Sequence, residues 1–398
     1  VWTAVLALAA NQLVAWGVLY YAYAVLSAPM ARDLGVSMRV VAGAFSLTLA
    51  VSAGLARPVG RWLDRAGART VLLTGAVLGP LALGAIAGVQ GPVTLFLAFA
   101  ALGVAQATAL YEPAFRAVVA WCPREGERAR ALVVLTSIAG FANTLFLPLT
   151  AWLVERVGWR AAVLVLAAIA AAVLIPVSVA LRLMPLSPPV RTSRDRRPGA
   201  SESRHVRAFN VLAAAFALQS FATTGATVSL VWHLVESGRS MRTAALIAGL
   251  VGASQVPGRL LLTPIQRTVR TERRVALCFV MQACALGGIA VGWMPGVLLG
   301  VVLFGAANGM ATLDRAAVTL DWWGPDHFGV HSGRIASTAL LGRAAAPYAV
   351  ELMHAVTPYG SVLGALALCL VTSAVVFVHG HRMRRRMRPS DANGVFRS

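Results

Sequence analysis

The chain has 398 residues, of which 58% are hydrophobic and only 13% charged. A soluble protein carries charges on about a quarter of its residues, so most of this surface must face something other than water, and lipid is the candidate. The net charge of +20 alone would suit a nucleic-acid-binding protein, but the 35 basic residues, all arginine, fall in short groups between long apolar runs. We therefore predict a membrane protein and exclude nucleic acid as a partner.

Apolar runs long enough to cross a bilayer recur along the whole chain. A bilayer core needs about 20 apolar residues in a helix. Several connections are only a turn long, such as Val89–Pro92 and Trp293–Gly296, which leaves no room for a soluble domain between them. The pattern predicts an all-α membrane protein with twelve transmembrane helices, at residues 3–28, 40–60, 70–90, 93–119, 131–154, 160–183, 209–234, 243–265, 274–294, 297–320, 335–356 and 359–380.

Arginine is distributed unevenly between the two sides of these spans. If the N-terminus is inside, the inner loops and the tail hold 24 arginines and the outer loops hold six. Because positively charged loops stay in the cytoplasm, both termini are predicted to be cytoplasmic. We expect a multi-pass protein of the inner (cell) membrane, acting as a monomer. The chain begins inside an apolar run without a basic segment, so no cleavable signal peptide is expected.

The chain divides into two similar halves. Residues 184–207 are rich in Pro, Ser and Arg and lack an apolar period, so they are predicted to form a cytoplasmic linker. The linker separates six-helix bundles at 1–183 and 208–381, with a basic cytoplasmic tail at 382–398. A shift of 202 residues aligns polar and small residues of spans four and ten, and the pairs are Gly103 with Gly305, Gln106 with Asn308, Glu112 with Asp314 and Trp121 with Trp323. Two pseudo-symmetric six-helix bundles are typical of carriers that work by a rocking motion.

The loop between spans two and three carries a family motif. It reads Gly60-Arg-Trp-Leu-Asp-Arg-Ala-Gly-Ala-Arg69 and resembles the G-x-L-a-D-[RK]-x-G-[RK]-[RK] signature of the major facilitator superfamily. The matched positions are Gly60, Asp64, Arg65, Gly67 and Arg69, while Trp62, Leu63 and Ala68 depart from the pattern. The resemblance implies the major facilitator fold over residues 1–380, with the loop acting in gating.

A narrower resemblance is to the monocarboxylate porter and oxalate–formate antiporter branch. It rests on Trp16-Gly-Val-Leu-Tyr-Tyr21 in span one, Pro-Ala-Phe in span four and Gly158-Trp-Arg160 after span five. Span eight keeps the arginine of an acid–x–x–x–Arg pattern but has Gln255 at the acidic position, which argues against proton coupling through that pair. The drug–proton antiporter motif G-P-x-x-G-G is missing from span five.

Charged residues inside the membrane are functional candidates because an unpaired charge there is costly. Arg343 lies near the middle of span eleven with no acidic residue within one helical turn, and Arg259 lies in the inner half of span eight. Guanidinium groups bind carboxylates through paired donors, so we predict that Arg343, with Arg259, binds an anionic substrate. The alternative is a structural ion pair of Arg343 with Asp314 or Glu351.

Two further sets of residues complete the predicted site. Polar and aromatic residues at mid-span depth are predicted to line a substrate cavity, and they are Gln12, Trp16, Tyr20, Gln106, Asn143, Gln219, Asn308 and Tyr348. Glu112 and Arg116 form an i, i+4 pair on span four, with Asp314 and Arg315 as the counterpart on span ten. For these charges we predict a gating role with the signature-loop arginines as partners.

The sequence favours a secondary carrier of a small solute by alternating access, with a small organic anion such as a monocarboxylate as substrate. An efflux carrier of drug-like or hydrophobic compounds is the alternative, and a non-transporting sensor is a third. A membrane-embedded enzyme is disfavoured because the loops hold no cluster of His, Asp and Glu and no nucleotide-binding motif. No cofactor or metal is expected, and a proton is a candidate coupling ion.

Overall fold

A computed structural model describes residues 1–122, 124–184 and 203–387 of the chain, and the regular elements of this part are helices. Most of the predicted linker and the end of the tail lie outside these residues. In chain order the elements are α1 (Trp2–Trp16), a π-helical turn (Gly17–Tyr21), α2 (Tyr23–Asp33), α3 (Met38–Ala66), α4 (Ala68–Ala87), α5 (Pro92–Ala109), α6 (Tyr111–Trp121), α7 (Glu125–Gly140), α8 (Ala142–Leu183), α9 (Ser203–Glu236), α10 (Met241–Thr268), α11 (Thr271–Ala290), α12 (Met294–His354) and α13 (Tyr359–Met387).

The helices agree with the predicted all-α membrane fold. Nine helical stretches of the described residues are long and apolar enough to cross a membrane. The stretch Gly126–Leu183 contains two predicted spans, divided where Gly158 adopts a positive φ of 75°. Gly67 ends α3 with a φ of 78°, a conformation that glycine adopts without strain, and so permits the tight turn of the signature loop. The connection between spans ten and eleven, predicted as a loop, is helical, because α12 runs from Met294 to His354.

The two bundles show matching close contacts at their aligned glycines. In the first bundle, a Cβ on Gly103 of α5 would lie 2.5 Å from the carbonyl oxygen of Thr48 in α3. In the second, a Cβ on Gly305 of α12 would lie 2.4 Å from the carbonyl oxygen of Val251 in α10. The contact between spans two and four in the first bundle is therefore repeated between spans eight and ten in the second. This repetition agrees with the 202-residue repeat.

Adding a methyl group at either glycine is expected to destabilise the protein. In Gly103→Ala and Gly305→Ala the new Cβ meets backbone that cannot move without separating two helices, so each change should cost about 1–3 kcal/mol. A lower apparent melting temperature in detergent measures the effect. Gly84→Ala is the matched control, since nothing lies within 4 Å of a Cβ there. Equal melting temperatures for all three variants would contradict the close packing.

The bundles pack against each other mainly at one end. We name the end that holds the start of α1 and the end of α13 the terminal end, and the opposite end, at the α2–α3 turn, the distal end. Toward the distal end, Trp232 Nε1 donates a hydrogen bond to Ser27 Oγ at 2.9 Å, and Thr144 Oγ1 donates to the carbonyl of Gly249 at 2.7 Å. Near the terminal end, the apolar clusters of described residues each belong to a single bundle. Among the described residues, the contacts between the bundles thus lie mainly toward the distal end.

Candidate functional site

Two helices of the first bundle are irregular at mid-membrane depth. Span one passes through a π-helical turn at Gly17–Tyr21, and span four is interrupted at Leu110, whose backbone is extended between α5 and α6. Each interruption removes regular i to i−4 hydrogen bonds and leaves backbone groups in need of partners. Tyr20 and Tyr21 lie in the first interruption, and Tyr111 directly follows the second.

Two predicted cavity residues hold these interruptions together. Gln12 Nε2 donates to the carbonyl oxygen of Ala109 at the break, and Gln106 Nε2 donates to the carbonyl oxygen of Leu19 in the π-helical turn, both at 2.7 Å. Both glutamine side chains are buried. They brace spans one and four against each other, so in this conformation they serve the backbone instead of lining a cavity as predicted.

An aromatic cluster forms around this brace. The ring centroids of Trp16 and Tyr20 lie 5.3 Å apart, and those of Trp16 and Tyr111 lie 4.7 Å apart. Tyr111 stacks on Phe115, one turn further along α6, with a centroid separation of 5.0 Å and an interplanar angle of 12°. Tyr21 joins the cluster against Tyr20 at 5.1 Å. Sequence analysis found Trp16 and Tyr20 but missed Tyr111 and Phe115, although their i, i+4 spacing is visible in the sequence.

Arg343 projects from the second bundle onto this cluster. Its Cζ atom lies 5.3 Å from the ring centroid of Tyr20 and 5.6 Å from that of Trp16, within the range of cation–π attraction. Arg343 is eleven residues from the end of α12 at His354, or about 16 Å along the helix, which is mid-depth in a bilayer core of about 30 Å. No hydrogen bond or salt bridge joins Arg343 to another described residue. The structure therefore brings together three predicted site residues, from both bundles.

The side chain of Arg259 is held by two hydrogen bonds in this conformation. It is 4% exposed, donates from Nη1 to the carbonyl oxygen of Thr136 at 2.5 Å, and donates from Nη2 to Gln255 Oε1 at 2.8 Å. The absence of a side chain at Gly140 makes room for it, since a Cβ there would lie 2.7 Å from Nη1. Because Thr136 belongs to the first bundle, Arg259 ties the two bundles together, and we assign it this role rather than first contact with an anion.

The acidic residues proposed to neutralise Arg343 have other partners. Asp314 accepts a hydrogen bond from Arg274 Nε at 2.6 Å, and both side chains are almost fully buried. Glu351 accepts a hydrogen bond from the hydroxyl of Tyr359 at 2.7 Å. The alternative of a structural ion pair between Arg343 and Asp314 or Glu351 is therefore wrong for this conformation.

Arg315 and Glu112 form the remaining charges around the site. Arg315 is half-buried on α12 of the second bundle, and Glu112 is exposed on α6 of the first. Glu112 and Arg116 do not pair with each other. Arg116 instead forms a salt bridge of 3.3 Å with Asp64 of the signature loop. In this contact the loop contributes its aspartate, and pairing of the loop arginines with the acids of spans four and ten stays a prediction.

The other gating-motif residues lie at the terminal end of α3 and α4. Asp64 and Arg65 are exposed, Gly60, Gly67 and Arg69 are half-buried, and the side chains of Asp64 and Arg116 are 61% and 46% exposed. An ion pair this exposed contributes little to stability, about 0–1 kcal/mol. The pair lies within one bundle, so the described residues show no closure of the bundles by Asp64 in this conformation.

The remaining predicted cavity residues are Gln219, Asn143, Tyr348 and Asn308, and the first three take part in packing contacts. Gln219 is buried and donates to Gln282 Oε1 at 3.3 Å, within the second bundle. Asn143 is buried where span five meets Gly252 of span eight. Tyr348 is 47% exposed, and its backbone N–H donates to Ser46 Oγ at 3.1 Å in a distal contact between the bundles. Asn308 is half-buried on α12.

The site contains hydrogen-bond donors that have no acceptor among the described residues. Arg343 presents five N–H donors, and Trp16 Nε1 is buried without a hydrogen-bond partner. Arg315 adds a further positive charge nearby. No described residue supplies an acceptor to Arg343 or to Trp16 Nε1. Because buried donors and charges are costly without partners, the arrangement suits a ligand that brings its own negatively charged oxygen atoms.

Comparisons with known proteins agree with the fold and the motif. A 139-residue segment is 30% identical to the "Uncharacterized transporter YybO" of Bacillus subtilis (strain 168), and it covers 35% of this chain and 30% of that relative. The fold matches a crystal structure of a mutant of the nucleoside transporter NupG with a TM-score of 0.74, over 95% of this chain and 99% of that chain, at 13% identity. The family model of the Major Facilitator Superfamily matches residues 8–313. This match spans most of the chain, and together with the helical bundles it shows that the protein is a membrane transporter of the Major Facilitator Superfamily.

Proposed function

We propose that this transporter is a secondary carrier of a small organic anion such as a monocarboxylate, which binds at Arg343. One observation carries the proposal: a guanidinium group at mid-membrane depth lies against two aromatic rings with no acceptor or acid among its described partners. A carboxylate supplies two parallel acceptors for this fork of donors. A cationic substrate would meet Arg343 and Arg315 as like charges.

The contacts between the bundles toward the distal end support transport by alternating access. With the arginine-rich loops in the cytoplasm, as the sequence predicts, this conformation faces the cytoplasm. Closing the terminal end and opening the distal end would expose the same midplane site to the other side. The ties of Trp232 to Ser27 and of Thr144 to Gly249 would then have to break.

Counterflow in proteoliposomes tests the proposal. Vesicles loaded with an unlabelled short monocarboxylate should accumulate the labelled compound, while vesicles loaded with a cationic drug-like compound should not accumulate its labelled form. Protein-free vesicles control for permeation of the neutral acid. Counterflow of the cation without counterflow of any carboxylate would overturn the proposal and favour the efflux carrier.

A further inference from the structure

Glu351 is a buried acid at the distal end, away from the proposed anion site. It lies in the last turn of α12 and is only 7% exposed, and its Oε1 accepts a hydrogen bond from the hydroxyl of Tyr359 at 2.7 Å. None of the salt bridges between described residues includes Glu351. The helical rise places it about 12 Å along α12 from Arg343, so the two groups cannot hold the same small ligand.

The tyrosine that faces Glu351 is held by two further contacts. The backbone N–H of Tyr359 donates to Oε2 of Glu236, at the end of α9, at 2.9 Å. Its ring stacks on His354 with a centroid separation of 3.7 Å and an interplanar angle of 8°. The hydroxyl is thus positioned as a donor to Glu351, but a neutral phenol brings no positive charge to balance a carboxylate.

The other titratable groups around Glu351 come from three helices. His354 on α12 is half-buried and its charge acts on Glu351, while Tyr359 of α13 and Tyr23 of α2 are phenols, which are neutral near pH 7. No arginine among the described residues acts on this carboxyl as His354 does. A buried carboxylate without a permanent positive partner is costly, whereas the protonated acid is not, so burial of Glu351 favours the form that carries a proton.

Both bundles contribute to the surroundings of Glu351. Val350, the preceding residue, lies in an apolar cluster with Val25 of the first bundle. One turn earlier on α12, the backbone N–H of Tyr348 donates to Ser46 Oγ of the first bundle. Separation of the bundles at the distal end would break both contacts and admit water to the acid.

We infer that Glu351 is a proton-binding site of the distal contact between the bundles. A proton from the distal aqueous phase adds to a carboxylate oxygen when the distal end closes, and it returns to water when that end opens, with no other bond made or broken. Closure then consumes a proton. Low pH therefore favours the closed distal end, and high pH favours the open one.

Distances measured across the distal end test the inference. Spin labels on Ser37→Cys in the α2–α3 turn and Val356→Cys in the α12–α13 turn occupy exposed positions on different bundles, in a full chain whose four native cysteines are replaced by alanine. A titration from about pH 4 to pH 9 covers glutamate carboxyls from exposed to buried. We expect longer distances at high pH, with the ratio of open to closed molecules rising by up to about tenfold for each pH unit.

Variants assign the pH dependence to one residue. Glu351→Gln keeps the shape of the protonated acid but cannot ionise, so its distal end should stay closed at every pH. Glu351→Asp should retain a pH dependence. Glu155→Gln is the matched control at an exposed glutamate on α8, and it should titrate as the wild type does.

Infrared difference spectra between low and high pH give a second measurement that needs no labels. The wild type should show a carboxylic-acid band that is missing from Glu351→Gln and kept in Glu155→Gln. Tyr359→Phe removes the hydrogen-bond donor but keeps the acid, so it should shift the frequency of this band. That variant keeps the test decisive should Glu351→Gln fail to fold.

The inference is overturned by distances that do not change with pH in the wild type, or by a pH dependence that survives Glu351→Gln. A carboxylic-acid band that is unchanged in both Glu351→Gln and Tyr359→Phe would also overturn it. Neither measurement uses a substrate, so this inference and the proposed anion transport can fail separately.

Discussion

Replacing Arg343 with Gln should abolish carboxylate counterflow and lower carboxylate affinity by at least about 30-fold. Truncating one side of a desolvated charge pair costs roughly 2–5 kcal/mol, and each 1.4 kcal/mol is a factor of ten in Kd. The change keeps a polar but uncharged side chain, so its effect reports loss of the charge and of the paired donors. Arg343→Lys should retain part of the affinity, because an ammonium keeps the charge but loses the fork geometry.

A folded control is essential for this prediction. Arg343 makes no hydrogen bond or salt bridge to the described residues, so Arg343→Gln should unfold at or above the temperature of the wild type in the absence of ligand. Arg242→Gln serves as the matched control at an exposed arginine at the start of α10. Unimpaired counterflow by Arg343→Gln would show that the anion binds elsewhere.

The largest stability effect is expected at the ion pair of Arg274 and Asp314. The two side chains are 3% and 0% exposed and their atoms lie 2.6 Å apart, so each is the main compensation for the other's burial. Removing one partner from such a pair typically costs about 3–5 kcal/mol because a buried charge remains. Arg274→Met or Asp314→Leu alone should therefore lower the apparent melting temperature strongly.

The double variant shows whether the stability lost in each single variant comes from the unpaired buried charge that remains or from the lost salt bridge itself. Replacement of both partners by apolar residues, Arg274→Met with Asp314→Leu, should restore most of the stability lost in either single variant. Cys278→Ala should have a small effect, since its thiol lies 3.7 Å from Asp314 and is a weak donor. Additive losses in the double variant would contradict this account.

The fold could be predicted because its signals are local or periodic. The length of the apolar runs and the signature loop each lie within short stretches of sequence, and the 202-residue repeat reinforces them. The helical connection between spans ten and eleven was missed because polar residues with Gly324 and Pro325 are typical of loops. In the structure the connection is helical despite the preference of these residues for loops.

The site could be predicted only in part, because its contacts join distant spans. Arg343 was found as a charge at mid-span depth and Trp16 as an aromatic residue at that depth, and the structure places them in contact. The sequence does not show that Gln12 reaches the carbonyl of Ala109, 97 residues away, since a break in another helix creates that acceptor. Nor does it show that Arg274, 40 residues from Asp314, takes the acid that the alternative of a structural ion pair assigned to Arg343.

Thermal-shift measurements on the wild type and Arg343→Ala test the central claim most directly. The purified proteins are screened against small carboxylates, amino acids and cationic drugs, because a ligand that binds the folded state raises its apparent stability. We expect a carboxylate to stabilise the wild type and leave Arg343→Ala unchanged. Equal stabilisation of both proteins by cations or neutral compounds would contradict the assignment of Arg343 as the anion site.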